Sequence, residues 1–76
     1  MEEKLGKISE SIIKADQSLV RENVQSSLQQ GVMPQSLLEA LIAGMNVIGK
    51  KFKNDEILLP DVMIPARAMH AGLDLL

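Results

Sequence analysis

Residues 34–52 read PQSLLEALIAGMNVIGKKF, and this stretch decides the fold. Its apolar residues recur at steps of three and four, the period of one face of an α-helix. The residues that form this stripe are Leu38, Leu41, Ile42, Met45, Ile48 and Phe52. Pro34 suits a first helical position, because its missing N–H would have had no partner there. The stretch therefore predicts a helix over 34–52 with this stripe turned inward.

Two glycines lie inside this helix, Gly44 and Gly49. A glycine in a helix interior costs roughly 1 kcal/mol relative to alanine, so each needs a reason to be there. We expect another backbone to approach the helix closely at both.

Two shorter helices precede it. The first is predicted over 3–15 and the second over 17–30, with Asp16 as the N-cap of the second. Gly31 is expected to end the second helix in the left-handed conformation. The inward residues of the first are Leu5, Ile8, Ile12 and Ala15, and those of the second are Val20, Val24, Ser27 and Leu28.

A fourth helix is predicted over 60–76, after a turn in which Asn54 and Asp55 can adopt left-handed geometry. Pro60 and Asp61 suit its N-terminus. Pro65 removes a backbone hydrogen bond and is expected to kink the helix or delay its start. The inward stripe expected here is Val62, Ala66, Met69, Leu73 and Leu76.

Composition points the same way. The 76 residues suffice for one domain, which has no cysteine and a single aromatic residue. A core of Leu, Ile, Val and Met favours helix packing over a small sheet. These features predict an all-α protein, an antiparallel four-helix bundle.

Charge and hydropathy exclude several classes of protein. The net charge of −2 is too balanced for a nucleic-acid footprint. No apolar run is long enough to span a membrane, and the start of the chain does not resemble a signal peptide. We therefore expect a cytoplasmic module.

Catalytic and metal-binding constellations are not found in the sequence. The single histidine, His70, is read as a surface contact to Asp74 at i,i+4. The lysines at 50, 51 and 53 are read as complements to a helix C-terminus. No metal-ligand spacing occurs, so we expect no metal ligand and no enzyme in this chain by itself.

The second half of the chain resembles the N-terminal helical cap of cobalamin-binding methyl-transfer proteins, as in methionine synthase and in methanol and methylamine corrinoid proteins. The residues that carry the resemblance are Gly44-Met45, Gly49, Phe52, Asn54-Asp55-Glu56-Ile57, Leu59-Pro60, Met63 and Ala66-x-Ala68-Met69. In that family the cap lies over the upper face of the corrin. The resemblance therefore implies a cap that shields methylcobalamin during methyl transfer between a donor and an acceptor.

The resemblance also implies residues and partners. Phe52 and Leu59 stand where the family places apolar contacts to the upper corrin face, and Val62 would extend them. The implied partners are a downstream cobalamin-binding α/β domain and methyltransferase subunits. Because the helical pattern is still running at Leu76, we expect a fragment that lacks this downstream domain.

Two alternatives stay open. One is the helical module of a cobalamin-sensing transcription regulator, although Phe52 stands where those modules have a Trp, and Asp61-Val62 where they have Glu-His. The other is a cofactor-free interaction module that buries its exposed apolar patch by forming a homodimer of the isolated fragment.

Overall fold

A computed structural model describes residues 2–76, with side chains from Leu5 onward. Its four helices are α1 (Glu2–Ile13), α2 (Gln17–Gln29), α3 (Pro34–Lys53) and α4 (Leu59–Leu73). The described residues contain no strand, so the all-α prediction is confirmed. α3 packs mainly against α1 and α4, and α2 against the same two helices. None of the described helices is long and apolar enough to cross a membrane.

Residues with positive φ end the first three helices. α1 ends at Ile13, earlier than predicted, because Ala15 has φ 58° and turns the chain. Asp16 then caps α2 as predicted, since its carboxylate accepts a 3.1 Å hydrogen bond from the Leu19 N–H. Gly31, with φ 86°, confirms the left-handed end of α2. Asp55, with φ 60°, reverses the chain after α3.

A single apolar core joins all four helices. Its buried members are Ile8, Ile12, Val20, Val24, Val32, Leu37, Ala40, Leu41 and Ala68. Leu5, Leu28, Met45, Met69 and Leu73 pack against it while remaining partly exposed. The predicted faces of α1 and α2 are confirmed, except that Ala15 lies beyond the end of α1.

The predicted inward stripe of α3 is wrong in part. Leu38, Ile42 and Phe52 are exposed, whereas Leu41 and Ile48 are buried. We call the buried set the inner stripe of α3; it consists of Leu37, Ala40, Leu41, Gly44 and Ile48. α3 carries apolar residues on two adjacent faces, and the face with the smaller residues fits against α1.

The two glycines of α3 have different surroundings. A Cβ at Gly44 would lie 2.7 Å from Cβ of Ile12 and 2.8 Å from the backbone oxygen of Ser9, so the predicted close approach is confirmed there. The Ser9 hydroxyl donates a 2.7 Å hydrogen bond to the Ala40 carbonyl across the same contact. At Gly49 the prediction is wrong, because nothing lies within 4 Å of an added Cβ.

The structure of α4 differs from the prediction at three points. The helix begins at Leu59 and continues through a buried Pro65, so this proline does not delay its start. The predicted inward stripe is wrong, since the buried residues are Pro65, Ala68, Ala71 and Gly72. Leu76 is exposed, and the rest of the predicted stripe is half-buried: Val62, Ala66, Met69 and Leu73. The helix ends at Leu73, and Leu75 turns its N–H to the Gly72 carbonyl in a tighter i,i+3 bond. Small residues are favoured inside because α4 lies close to its neighbours: a Cβ at Gly72 would lie 2.9 Å from Cγ1 of Val20.

Candidate functional site

The three residues implied by the resemblance lie where α3 ends and α4 begins. Phe52 is in the last turn of α3 and is 44% exposed. Leu59 is the first residue of α4 and is 58% exposed. Val62, one turn further along α4, is half-buried. An exposed phenylalanine and leucine at one end of the bundle form an apolar surface that the core of this chain does not use.

The connection between α3 and α4 fixes this end of the molecule. At Asp55 the chain reverses, and the Glu56 N–H donates a 2.9 Å hydrogen bond back to the Lys51 carbonyl. At the start of α4, a carboxylate oxygen of Asp61 accepts a 3.0 Å hydrogen bond from the Leu58 N–H. These bonds satisfy backbone groups that helix ends would leave unpaired, so both helix ends are held in place.

The apolar surface extends further than the sequence indicated. Leu58 and Met63 are exposed beside the predicted residues of α4. On α3, a second stripe lies next to the inner one, and we call it the outer stripe of α3. It consists of Leu38, Ile42, Met45, Gly49 and Phe52. The signal was present in the sequence as two interleaved sets at helical spacing, and the small residues Ala40 and Gly44 marked the set that is buried.

The outer stripe borders α4. Leu41 reaches this helix, since its Cδ1 would lie 3.3 Å from a Cβ at Gly72. Leu38 and Met45, three residues before and four after Leu41, lie on the same side of α3. The outer stripe therefore begins at the flank of α3 that faces α4.

The exposed residues of α4 border α3 in turn. Ile64 lines a cleft with Ile13 and Ala15, so its flank of α4 faces the turn between α1 and α2. Leu59 and Val62 occupy the opposite flank by helical spacing. The two helices thus present adjoining apolar flanks on one side of the bundle.

The exposed side chains named for this surface are apolar. No group of three His, Cys, Asp or Glu residues that could hold a metal occurs among the described residues. His70 is exposed, with no ion pair to Asp74. The ion pair found among the described side chains joins Lys14, just after the end of α1, to Glu10 at 3.1 Å. The large apolar side chains of this surface can exclude water from a bound group.

Comparison with known proteins agrees with this picture. The model of the B12 binding domain family matches residues 5–76. The trimethylamine corrinoid protein of Methanosarcina barkeri is 37% identical over 73 residues, covering 95% of this chain and 34% of the relative. Trimethylamine corrinoid protein 2 of Methanosarcina mazei is 36% identical over 76 residues, covering 99% of this chain and 35% of the relative.

A bacterial relative gives the same result. A corrinoid protein of Desulfitobacterium hafniense is 33% identical over 73 residues, covering 95% of this chain and 34% of the relative. No solved structure matches the chain. The chain spans about a third of the length of these curated relatives. Since the family model covers nearly the whole chain, the protein belongs to the B12 binding domain family, as the helical domain found in corrinoid proteins.

Proposed function

We propose that this chain is the helical cap of a corrinoid protein, which covers the upper face of methylcobalamin and shields its methyl group between donor and acceptor. The observation that carries the proposal is the exposure of Phe52 and Leu59, in a chain whose family binds B12. A folded protein normally buries such residues, and a patch of them is typical of an interaction surface.

The physical role of the cap is to exclude water. Closing a site with apolar side chains expels water and prevents side reactions, and an apolar cap would give a bound methylcobalamin this protection. The chain suits this role because its exposed residues at the junction of α3 and α4 are large and apolar. Phe52, Leu59 and Val62 are the proposed contacts. Leu58 and Met63, which are exposed and follow or precede them directly in the chain, are proposed to extend the same surface.

A cap must also be released. A methyl donor or acceptor can reach cobalt only if the cover moves aside, as lids do in many enzymes. The chain has a core of its own on the inner sides of its helices, so the apolar flank can part from the corrin without unfolding the bundle. A modest interface of partly exposed side chains favours this release.

The larger assembly is part of the proposal. The curated relatives are about three times as long as this chain, which supports a downstream cobalamin-binding domain in the natural protein. The names of two relatives join trimethylamine with a corrinoid protein, which supports a methyl-transfer system with a methyltransferase partner. This chain would be a non-catalytic part of that system, and the proposal keeps the cytoplasmic location expected from the sequence. The same names favour methyl transfer over the regulator alternative.

The experiment is a domain replacement. This chain would replace the matching segment of the Methanosarcina barkeri trimethylamine corrinoid protein, and the chimera would be loaded with methylcobalamin. Photolysis and oxidation would be followed by the visible absorbance of the corrin. We expect Phe52→Ala to speed the loss of the methyl group by about threefold to tenfold, because water and oxygen gain access.

Val47→Ala is the matched control. Val47 is also an exposed apolar residue of α3, but it lies away from the outer stripe. It should leave the rate unchanged. A chimera in which Phe52→Ala and Val47→Ala behave alike, or in which the replaced cap gives no protection, would contradict the proposal.

A further inference from the structure

We propose that the outer stripe of α3 is also a self-association surface, through which two copies of this chain pack with their α3 helices antiparallel. This inference goes beyond the cap function and does not depend on it, because it concerns the chain without a corrin. It gives a definite form to the homodimer that stayed open as an alternative in the sequence analysis.

The spacing of the outer stripe favours a helical partner. Leu38, Ile42, Met45, Gly49 and Phe52 follow one another at alternating steps of four and three. This is the heptad spacing by which helices interdigitate in coiled coils. The stripe extends for about 21 Å along α3 at 1.5 Å per residue, enough for several layers of contact. All of it lies on the surface of the bundle except Met45, which is half-buried.

The charges beside the stripe favour a second copy in antiparallel orientation. Glu39, Asn46 and Lys53 follow at steps of seven along the exposed edge of the stripe. When two such helices pack antiparallel, this edge faces the same edge of the partner. Glu39 then lies opposite the partner's Lys53, and Asn46 lies opposite its own copy at the two-fold axis. Because the contact is isologous, the Glu39–Lys53 pair forms twice, once at each end of the interface.

The same register fits the shapes of the stripe. Antiparallel packing about Asn46 sets Ile42 against the partner's Phe52 and Met45 against the partner's Gly49. Gly49 has open space above it, with nothing within 4 Å of an added Cβ. A flexible methionine side chain suits such a notch. The charged edge and the apolar layers thus select one register.

Phe52 belongs both to this contact and to the proposed cap surface. A copy of the chain paired through α3 could not cover a corrin with the same phenylalanine. Self-association is therefore expected in the corrin-free chain, where the apolar flank is otherwise exposed to water.

The test is sedimentation equilibrium of the 76-residue chain over a range of concentrations. We expect a reversible dimer, weakened at least about 100-fold by Ile42→Glu, which places a charge in the apolar layers of both copies. Val47→Glu is the matched control: Ile42 and Val47 are 43% and 38% exposed on the same helix. Val47→Glu should leave the dimer intact. Circular dichroism checks that both variants stay helical.

A charge exchange tests the orientation. Glu39→Lys or Lys53→Glu alone should weaken the dimer roughly threefold to tenfold, since each exposed ion pair occurs twice. The double exchange should restore the wild-type constant, because it re-forms both pairs. A chain that stays monomeric up to about 0.5 mM overturns the proposal. So does a dimer that ignores Ile42→Glu, or one that the double exchange does not restore.

Discussion

Helix α3 has two apolar stripes that differ in what covers them. The inner stripe mixes large residues with Ala40 and Gly44, and the backbone of α1 comes close enough at Gly44 to leave no room for a Cβ. The outer stripe keeps large side chains at most positions, of which Leu38, Ile42 and Phe52 are exposed. The comparison teaches that small residues mark the face that a helix uses within its own fold. Large residues left on the other face are available for another molecule.

The largest expected difference between the stripes comes from shortening a leucine in each. Leu41 is fully buried and should cost about 2–5 kcal/mol of unfolding free energy when changed to alanine, through lost burial and a cavity. Leu38, which is 37% exposed, should cost less than about 1 kcal/mol. Urea denaturation monitored by circular dichroism measures both. Equal losses would mean that the outer stripe belongs to the core after all.

That experiment should be done below the dimer dissociation constant. At higher concentration the proposed dimer would add to the stability of both variants, and the unfolding free energy would then depend on protein concentration. The loss from Leu41→Ala should exceed the loss from Leu38→Ala at every concentration.

The next difference comes from the two glycines of α3. Gly44→Ala should destabilise the fold by about 1–3 kcal/mol, because the added Cβ meets Ile12 and the backbone of Ser9 and α1 must shift. Gly49→Ala should stabilise it by roughly 0.5–1 kcal/mol, because alanine favours the helix and meets nothing there. The two variants carry the same chemical change, so opposite signs in the same denaturation assay isolate the effect of packing. Two stabilising alanines would rule out the close contact between α1 and α3.

Local signals in the sequence predicted where several of the helices begin and end. The N-cap at Asp16, the left-handed Gly31 and the first-turn Pro34 each act over a few residues, and all three are found as expected. The inward stripe of α3 was read incorrectly because both stripes have helical spacing, and spacing alone does not say which one faces the core. That choice depends on which face another helix can approach closely, a tertiary property visible at Gly44 and Ala40.

Pro65 illustrates a second limit. Its cost to the helix was predictable, since it removes one backbone hydrogen bond. The burial that offsets this cost was not predictable from the sequence: the proline ring is fully buried between α4 and the rest of the bundle. For the candidate site, Phe52, Leu59 and Val62 were predicted from the resemblance alone and stay a prediction. The neighbours Leu58 and Met63 became apparent only from their exposure.

The smallest expected effect concerns a side-chain hydrogen bond that joins α1 to the inner side of α3. The Ser9 hydroxyl donates to the Ala40 carbonyl at 2.7 Å in a partly buried position. Ser9→Ala should cost about 0.5–1 kcal/mol, because the lost bond outweighs the better helix propensity of alanine. Ser26→Ala is the matched control: Ser26 is exposed on α2, and its replacement should be neutral or slightly stabilising. If Ser9→Ala is as neutral as Ser26→Ala, the close packing of α1 against α3 at Gly44 is stable without this hydrogen bond.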